Sequence, residues 1–177
     1  MRGGLAAMAW WLAVATAAAA PARDPERYFF HETWGDLREE LQRARDEGKK
    51  GIMIFFDQKD CPFCFYMKEN ILNRPAVQEF YRRHFILVRV DIEGDVEITD
   101  FDGTTMSQKD FAFRRHRVRA TPVIAFFDLE GRRIFRHIGK ARDVREFMLM
   151  GEYVATGAYG AMSFTRYKRE RRKAGGG

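Results

Sequence analysis

The feature that most constrains this chain is the tetrapeptide Cys61-Pro62-Phe63-Cys64, which holds both of its cysteines. The hydrophobic run Ile52-Met53-Ile54-Phe55-Phe56 precedes it, and Phe65-Tyr66-Met67-Lys68-Glu69 after it reads as helix. Strand, tight turn and helix start is a setting in which two cysteines three apart do redox chemistry. The N–H groups and dipole of the helix point at the first sulfur and favour thiolate over thiol. The second sulfur lies one turn on, placed to attack a mixed disulfide. With no third cysteine, a framework of structural disulfides is excluded.

Zinc sites use the same spacing, but zinc takes four ligands. His31, His84, His116 and His137 are scattered and form no closely spaced pair, so no metal is expected. A purely structural disulfide across so short a loop would stabilise little compared with one closing a long loop. Redox use is therefore the reading: Cys61 as exposed nucleophile, Cys64 as shielded resolving thiol, and no cofactor besides their disulfide. Pro62 fixes φ at the helix start. Phe63 faces the partner. Asp60 opposes thiolate formation if close in space, and otherwise is a turn residue. Thr121-Pro122, at the head of an apolar run, is the second signal. A cis proline there would set the carbonyl and N–H of Thr121 beside the sulfurs for a strand-like substrate. An ordinary trans proline starting a strand is the alternative.

The chain begins as a targeting segment. Arg2 is followed by an apolar stretch, Leu5 to Ala19, and then by Ala20-Pro21-Ala22. That pattern reads as a secretory signal peptide over residues 1–22, cleaved after Ala22. The stretch is short for a membrane span, which needs roughly 20 apolar residues, so an uncleaved anchor is the lesser reading. Export places the cysteines in an oxidising compartment, the periplasm.

Residues 23–165 read as one domain. Trp34, Leu37, Leu41 and Ala44 recur at helical spacing, with Thr33 as cap and Gly48 as stop. A strand over 51–57 leads to the cysteines, and their helix runs to about Leu72. Helix over 76–83 and strand over 84–91 follow Pro75. The acidic stretch 93–105 is a loop or small hairpin; a calcium loop is the sharper reading, but the spacing of an EF-hand is missing. Helix is expected over 106–117, capped by Thr104 or Thr105. Its basic end, Arg114, Arg115, Arg117 and Arg119, is a solvated helix terminus or a patch for an anionic partner. Strands at 123–127 and 132–138 form a hairpin, and a last helix spans 142 to about 157, with Val144, Phe147, Met148 and Val154 inward. Residues 166–177, a basic run ending in glycines, read as a tail, disordered past about Arg169. Alternating strands and helices closed by a hairpin imply an α/β class, a mixed sheet covered on both faces.

The strand ending in Asp57, the Cys61–Cys64 motif, and Thr121-Pro122 before a hairpin resemble the thioredoxin fold. That resemblance implies catalysis by Cys61 and Cys64, with a cis Pro122 facing them. More narrowly, the chain resembles SoxW-type periplasmic thioredoxins associated with sulfur oxidation. The similarity lies in Phe55-Phe56-Asp57-Gln58, residues 90–95, 118–122 and 126–128, and Tyr153-Val154-Ala155-Thr156-Gly157-Ala158-Tyr159. It implies protein disulfide or persulfide substrates, a membrane electron donor, a monomer free of the membrane after cleavage, and no nucleic-acid partner. The sequence departs from cytoplasmic thioredoxins in that Phe55 and Leu87 stand where those carry a buried Asp and its Lys. Water or a nearby acid such as Glu69 is then expected to serve the resolving cysteine. Family potentials run from roughly −270 to about −120 mV. The lack of a histidine between the cysteines, together with Asp60, points to a reductant or mid-potential exchanger. A second class of function is a binding or chaperone-like module of a secreted sulfur-carrier or cytochrome-assembly system, its contact made by the basic helix end and tail.

Overall fold

A computed structural model describes residues 20–175. The apolar segment of the signal-peptide reading, up to Ala19, lies outside the described residues, and Ala20–Ala22 are exposed coil. The elements run α1 (Pro25–Tyr28), α2 (Leu37–Asp46), β1 (Ile52–Asp57), α3 (Pro62–Met67), α4 (Pro75–His84), β2 (Ile86–Asp91), β3 (Glu97–Thr99), β4 (Thr105–Ser107), α5 (Gln108–Asp110), β5 (Val123–Phe127), β6 (Arg133–Ile138), α6 (Val144–Ala155) and α7 (Phe164–Ala174). Single π-helical turns extend α3 over Lys68–Leu72 and α5 over Phe111–Arg115.

The main sheet has the order β2-β1-β5-β6. β1 and β2 are parallel, and β5 is antiparallel to both β1 and β6, so the sheet is mixed. Every residue of β1 is buried, as a central strand covered on both faces must be. Alternation along the strands sorts the core into two layers. Ile52, Ile54 and Phe56 join Val88, Val90, Val123 and Ala125 beneath α2 and Phe111. Met53 and Phe55 join Leu87, Ile124 and Phe126 with both cysteines and residues of α3, α4 and α6. Tyr81 ties α4 to α6: its ring stacks 4.3 Å from that of Phe147, and its hydroxyl donates to the Phe147 carbonyl at 2.5 Å.

Several boundaries differ from the sequence reading. Trp34 is 99% exposed rather than inward, because Gly35 at φ +86° turns the chain and Asp36 caps α2 through the Arg38 N–H. The acidic stretch folds as the β3–β4 hairpin, and Ser107, through the Asp110 N–H, caps the short helix expected to begin at Met106. The expected disordered tail is instead α7. Ser163 caps it, Tyr167 is buried against Tyr153, and Phe164 packs on Phe135 and Tyr153. Its like charges are tolerated because α6 offers acids: Lys168 pairs with Glu146 at 2.5 Å and Arg171 with Glu152 at 2.7 Å.

His31 stitches the segment before α2 to the edge of β2. Its Nδ1 accepts the Leu87 N–H at 3.0 Å, and its backbone N–H donates to the Leu87 carbonyl at 2.9 Å. Burial, reinforced by the Arg82 guanidinium, pushes this imidazole down to about 3. An unfolded chain takes up the proton near pH 6.5, whereas the folded one resists until about 3. Acidification between those values therefore favours the unfolded state, and the stability is fully present only above pH 6.5. From pH 7 to 4.5 the wild type is expected to lose about 2 kcal/mol more than His31→Asn, which cannot take up that proton. Urea unfolding at the two pH values measures this; equal losses would assign the acid sensitivity elsewhere.

Candidate active site

Past Asp57 the chain leaves the sheet through Gln58 and an exposed turn at Lys59 and Asp60. Cys61 is extended, at φ −104° and ψ 103°, and caps α3, with Pro62 opening the helix. The Cys64 N–H donates to Cys61 Sγ at 3.0 Å, satisfying one of the donors that every helix start leaves over. The same N–H is aimed at the atom that carries the negative charge once the pair is reduced, which stabilises a Cys61 thiolate. The two sulfurs form a disulfide, with Cα atoms 5.2 Å apart. Cys61 is 7% exposed and Cys64 2%. The order is the one expected from the sequence, but Cys61 is recessed rather than freely exposed.

Antiparallel pairing sets Phe56 opposite Val123, so the start of β5 lies at the cysteine end of β1. The peptide bond Thr121–Pro122 is cis. The Thr121 hydroxyl donates to Gln58 Oε1 at 3.1 Å, joining the proline loop to the turn before Cys61. Among the described residues no backbone hydrogen bond occupies the N–H or C=O of Thr121. Phe63 is 56% exposed, and Phe65 more so. Ile138, exposed at the end of β6, pairs with Val123, and the next N–H, of Gly139, donates to the Pro122 carbonyl at 2.8 Å. The structure thus gathers Cys61, Cys64, Pro62, Phe63, Thr121 and Pro122 at one end of the sheet and adds Gln58 and Ile138. Those two escaped sequence reasoning: a lone Gln and a strand-end Ile carry no signal until the register is known.

A second omission is Asp57. Phe55 and Leu87 are both buried in the cysteine layer, so no charge occupies either position. Two residues on, and on the same face of β1, Asp57 is only 1% exposed. Its carboxylate accepts from Lys68 Nζ at 2.8 Å and Arg89 Nε at 2.9 Å. Glu26 of α1 also reaches Lys68, at 2.7 Å. Lys68 stands one turn beyond Cys64, so this ion cluster braces the far end of the cysteine helix against β1. Glu69, offered above as an acid for Cys64, is exposed. Its carbonyl accepts from the Asn73 side chain. Ala141 adds a further brace, its N–H donating to Met67 Sδ at 3.2 Å. Among the described residues, no three His, Cys, Asp or Glu are grouped to hold a metal ion, and no helix is long and apolar enough to cross a membrane.

The sequence profile of the thioredoxin-like domain matches residues 37–155. Among solved structures, a thioredoxin-fold protein from Helicobacter pylori is 22% identical with a TM-score of 0.56, over 72% of this chain and 82% of that one. A putative disulphide-isomerase from Bacteroides thetaiotaomicron is 21% identical, TM-score 0.57, over 76% and 96%. A DsbH oxidoreductase is 18% identical, TM-score 0.53, over 73% and 88%. At such identities the likeness is one of fold. No curated protein matches the sequence.

Proposed function

The chain belongs to the thioredoxin-like domain family, and from that premise we propose that it is a periplasmic thiol:disulfide oxidoreductase acting as a SoxW-like reductant. The observation that carries the catalytic part is the Cys64 N–H held 3.0 Å from Cys61 Sγ at the start of a helix, with Cys64 behind it in the core. In the reduced protein, the Cys61 thiolate attacks one sulfur of a substrate disulfide. A mixed disulfide forms, and the other substrate sulfur leaves as thiolate and takes up a proton. The Cys64 thiol loses its proton and attacks Cys61 Sγ, closing the Cys61–Cys64 bond and releasing the second substrate thiol. The substrate gains two electrons and the protein loses two. The open N–H and C=O of Thr121 pair with the substrate backbone as an added strand would, and Phe63, Pro62 and Pro122 flank its sulfur.

The reductant direction rests on the lack of a histidine between the cysteines and on Asp60 before them; a membrane electron donor and a role in sulfur oxidation rest on the sequence resemblance. Export rests on the sequence pattern of residues 1–22; among the described residues the first backbone tie to the domain is at Arg23, whose N–H donates to the Asn73 carbonyl at 2.8 Å, so cleavage after Ala22 would leave it in place. The test of direction is the potential of the Cys61–Cys64 couple, equilibrated against glutathione. A value below about −150 mV is expected, and a higher one would put the protein among the oxidants.

A further inference from the structure

The mechanism leaves unused a cavity of about 100 Å³ between α6 and α7, lined by Arg142, Arg145, Glu146, Leu149, Lys168 and Arg172. Four of its six walls are cations. The single acid is already engaged: Glu146 Oε1 takes Lys168 Nζ at 2.5 Å, and Oε2 accepts the Arg142 N–H at 2.8 Å. Arg142 in turn is held by Asp143 at 3.0 Å. Arg145 and Arg172 have no carboxylate partner among the described residues, whereas Lys168 and Arg171 on the same helix as Arg172 do. Two guanidiniums from different helices, neither paired with a carboxylate among the described residues, thus line one small polar space.

The space is open to solvent on the side of Arg142, Arg145 and Arg172, which are exposed, and it has room for one tetrahedral oxyanion. A guanidinium presents paired N–H donors that match two oxygens of a phosphate. We propose that Arg142, Arg145, Lys168 and Arg172 form a binding site for a phosphate group, whether free phosphate or the head of an anionic lipid. Glu146 already pairs with Lys168, so the donors left for the phosphate are chiefly those of Arg145 and Arg172.

The test compares the full-length mature chain with two variants that remove equal charge. Arg145→Gln/Arg172→Gln empties the cavity wall. Arg169→Gln/Lys173→Gln removes two cations from the same helix outside it. Melting temperature is followed against inorganic phosphate, with chloride at matched ionic strength, and flotation is followed with phosphatidylglycerol and with pure phosphatidylcholine vesicles. Each variant's melt without phosphate establishes that it folds. A saturable rise with phosphate, weakened about tenfold or more in the cavity variant and kept in the other, is expected if the source is free phosphate. Flotation with phosphatidylglycerol alone, showing the same ranking, identifies a lipid head. Equal losses in both variants would mean diffuse charge, and no response in either assay would mean no site; either result overturns the proposal.

Discussion

Replacing Cys61 with Ser is expected to lower insulin reduction by on the order of 10³-fold or more, because no other thiol can start the exchange. Cys64→Ser should lose multiple turnover too, but by a different route. Its Cys61 thiolate still attacks, and the mixed disulfide then has nothing to resolve it. Cells producing Cys64→Ser should therefore yield disulfide-linked adducts on non-reducing gels, and cells producing Cys61→Ser none. The asymmetry follows from the geometry: of the two sulfurs only Cys61 Sγ receives a helix N–H, and Cys61 is the less buried, 7% exposed against 2% for Cys64. In the reduced wild type at neutral pH, an alkylating reagent should accordingly modify Cys61 well before Cys64. Adducts of equal yield from both variants, or equal alkylation rates, would remove the distinction on which the catalytic scheme depends.

The largest stability effect is expected at Gly51, immediately before β1. Its φ of +146° lies in a region that only glycine occupies at low cost, and a Cβ there would fall on the Phe127 carbonyl oxygen. Neither strand can yield, since the Gly51 carbonyl accepts the Ile86 N–H at 3.0 Å and Phe127 pairs with Ile52. Gly51→Ala should cost on the order of 4 kcal/mol, lowering the melting temperature by roughly 8–16 °C. Gly48→Ala is the matched control. Its φ is +65° and nothing lies within 4 Å of the added carbon, so only the left-handed conformation is penalised, at about 1 kcal/mol. Similar losses at the two positions would show that the β1–β5 contact gives way more readily than described.

Local chemistry was legible and distant pairing was not. The run Ile52–Phe56, the cysteine pair and Thr121-Pro122 each announce themselves within a few neighbours, and each falls where the sequence places it. Asp57 gives no local signal because its partners, Lys68 and Arg89, are 11 and 32 residues away: the β1–β2 register brings in Arg89, and the extension of α3 brings in Lys68. Gln58 and Thr121, 63 apart, are the same case. Trp34 is the opposite case: helical periodicity in the sequence runs back across Gly35, whose positive φ ends it in the structure. The tail misled because counting its charges ignored Phe164 and Tyr167 at one turn's spacing, and ignored the acids of α6 that neutralise Lys168 and Arg171.

The burial of Cys61 bears on what the protein can handle. A sulfur this recessed meets only what protrudes. A disulfide lying flush on a rigid globular surface is held off by protruding neighbours such as Phe63, whereas one on a chain end or an unravelled stretch can reach the sulfur. Selection then acts on the suppleness of the incoming backbone before any of its side chains is read.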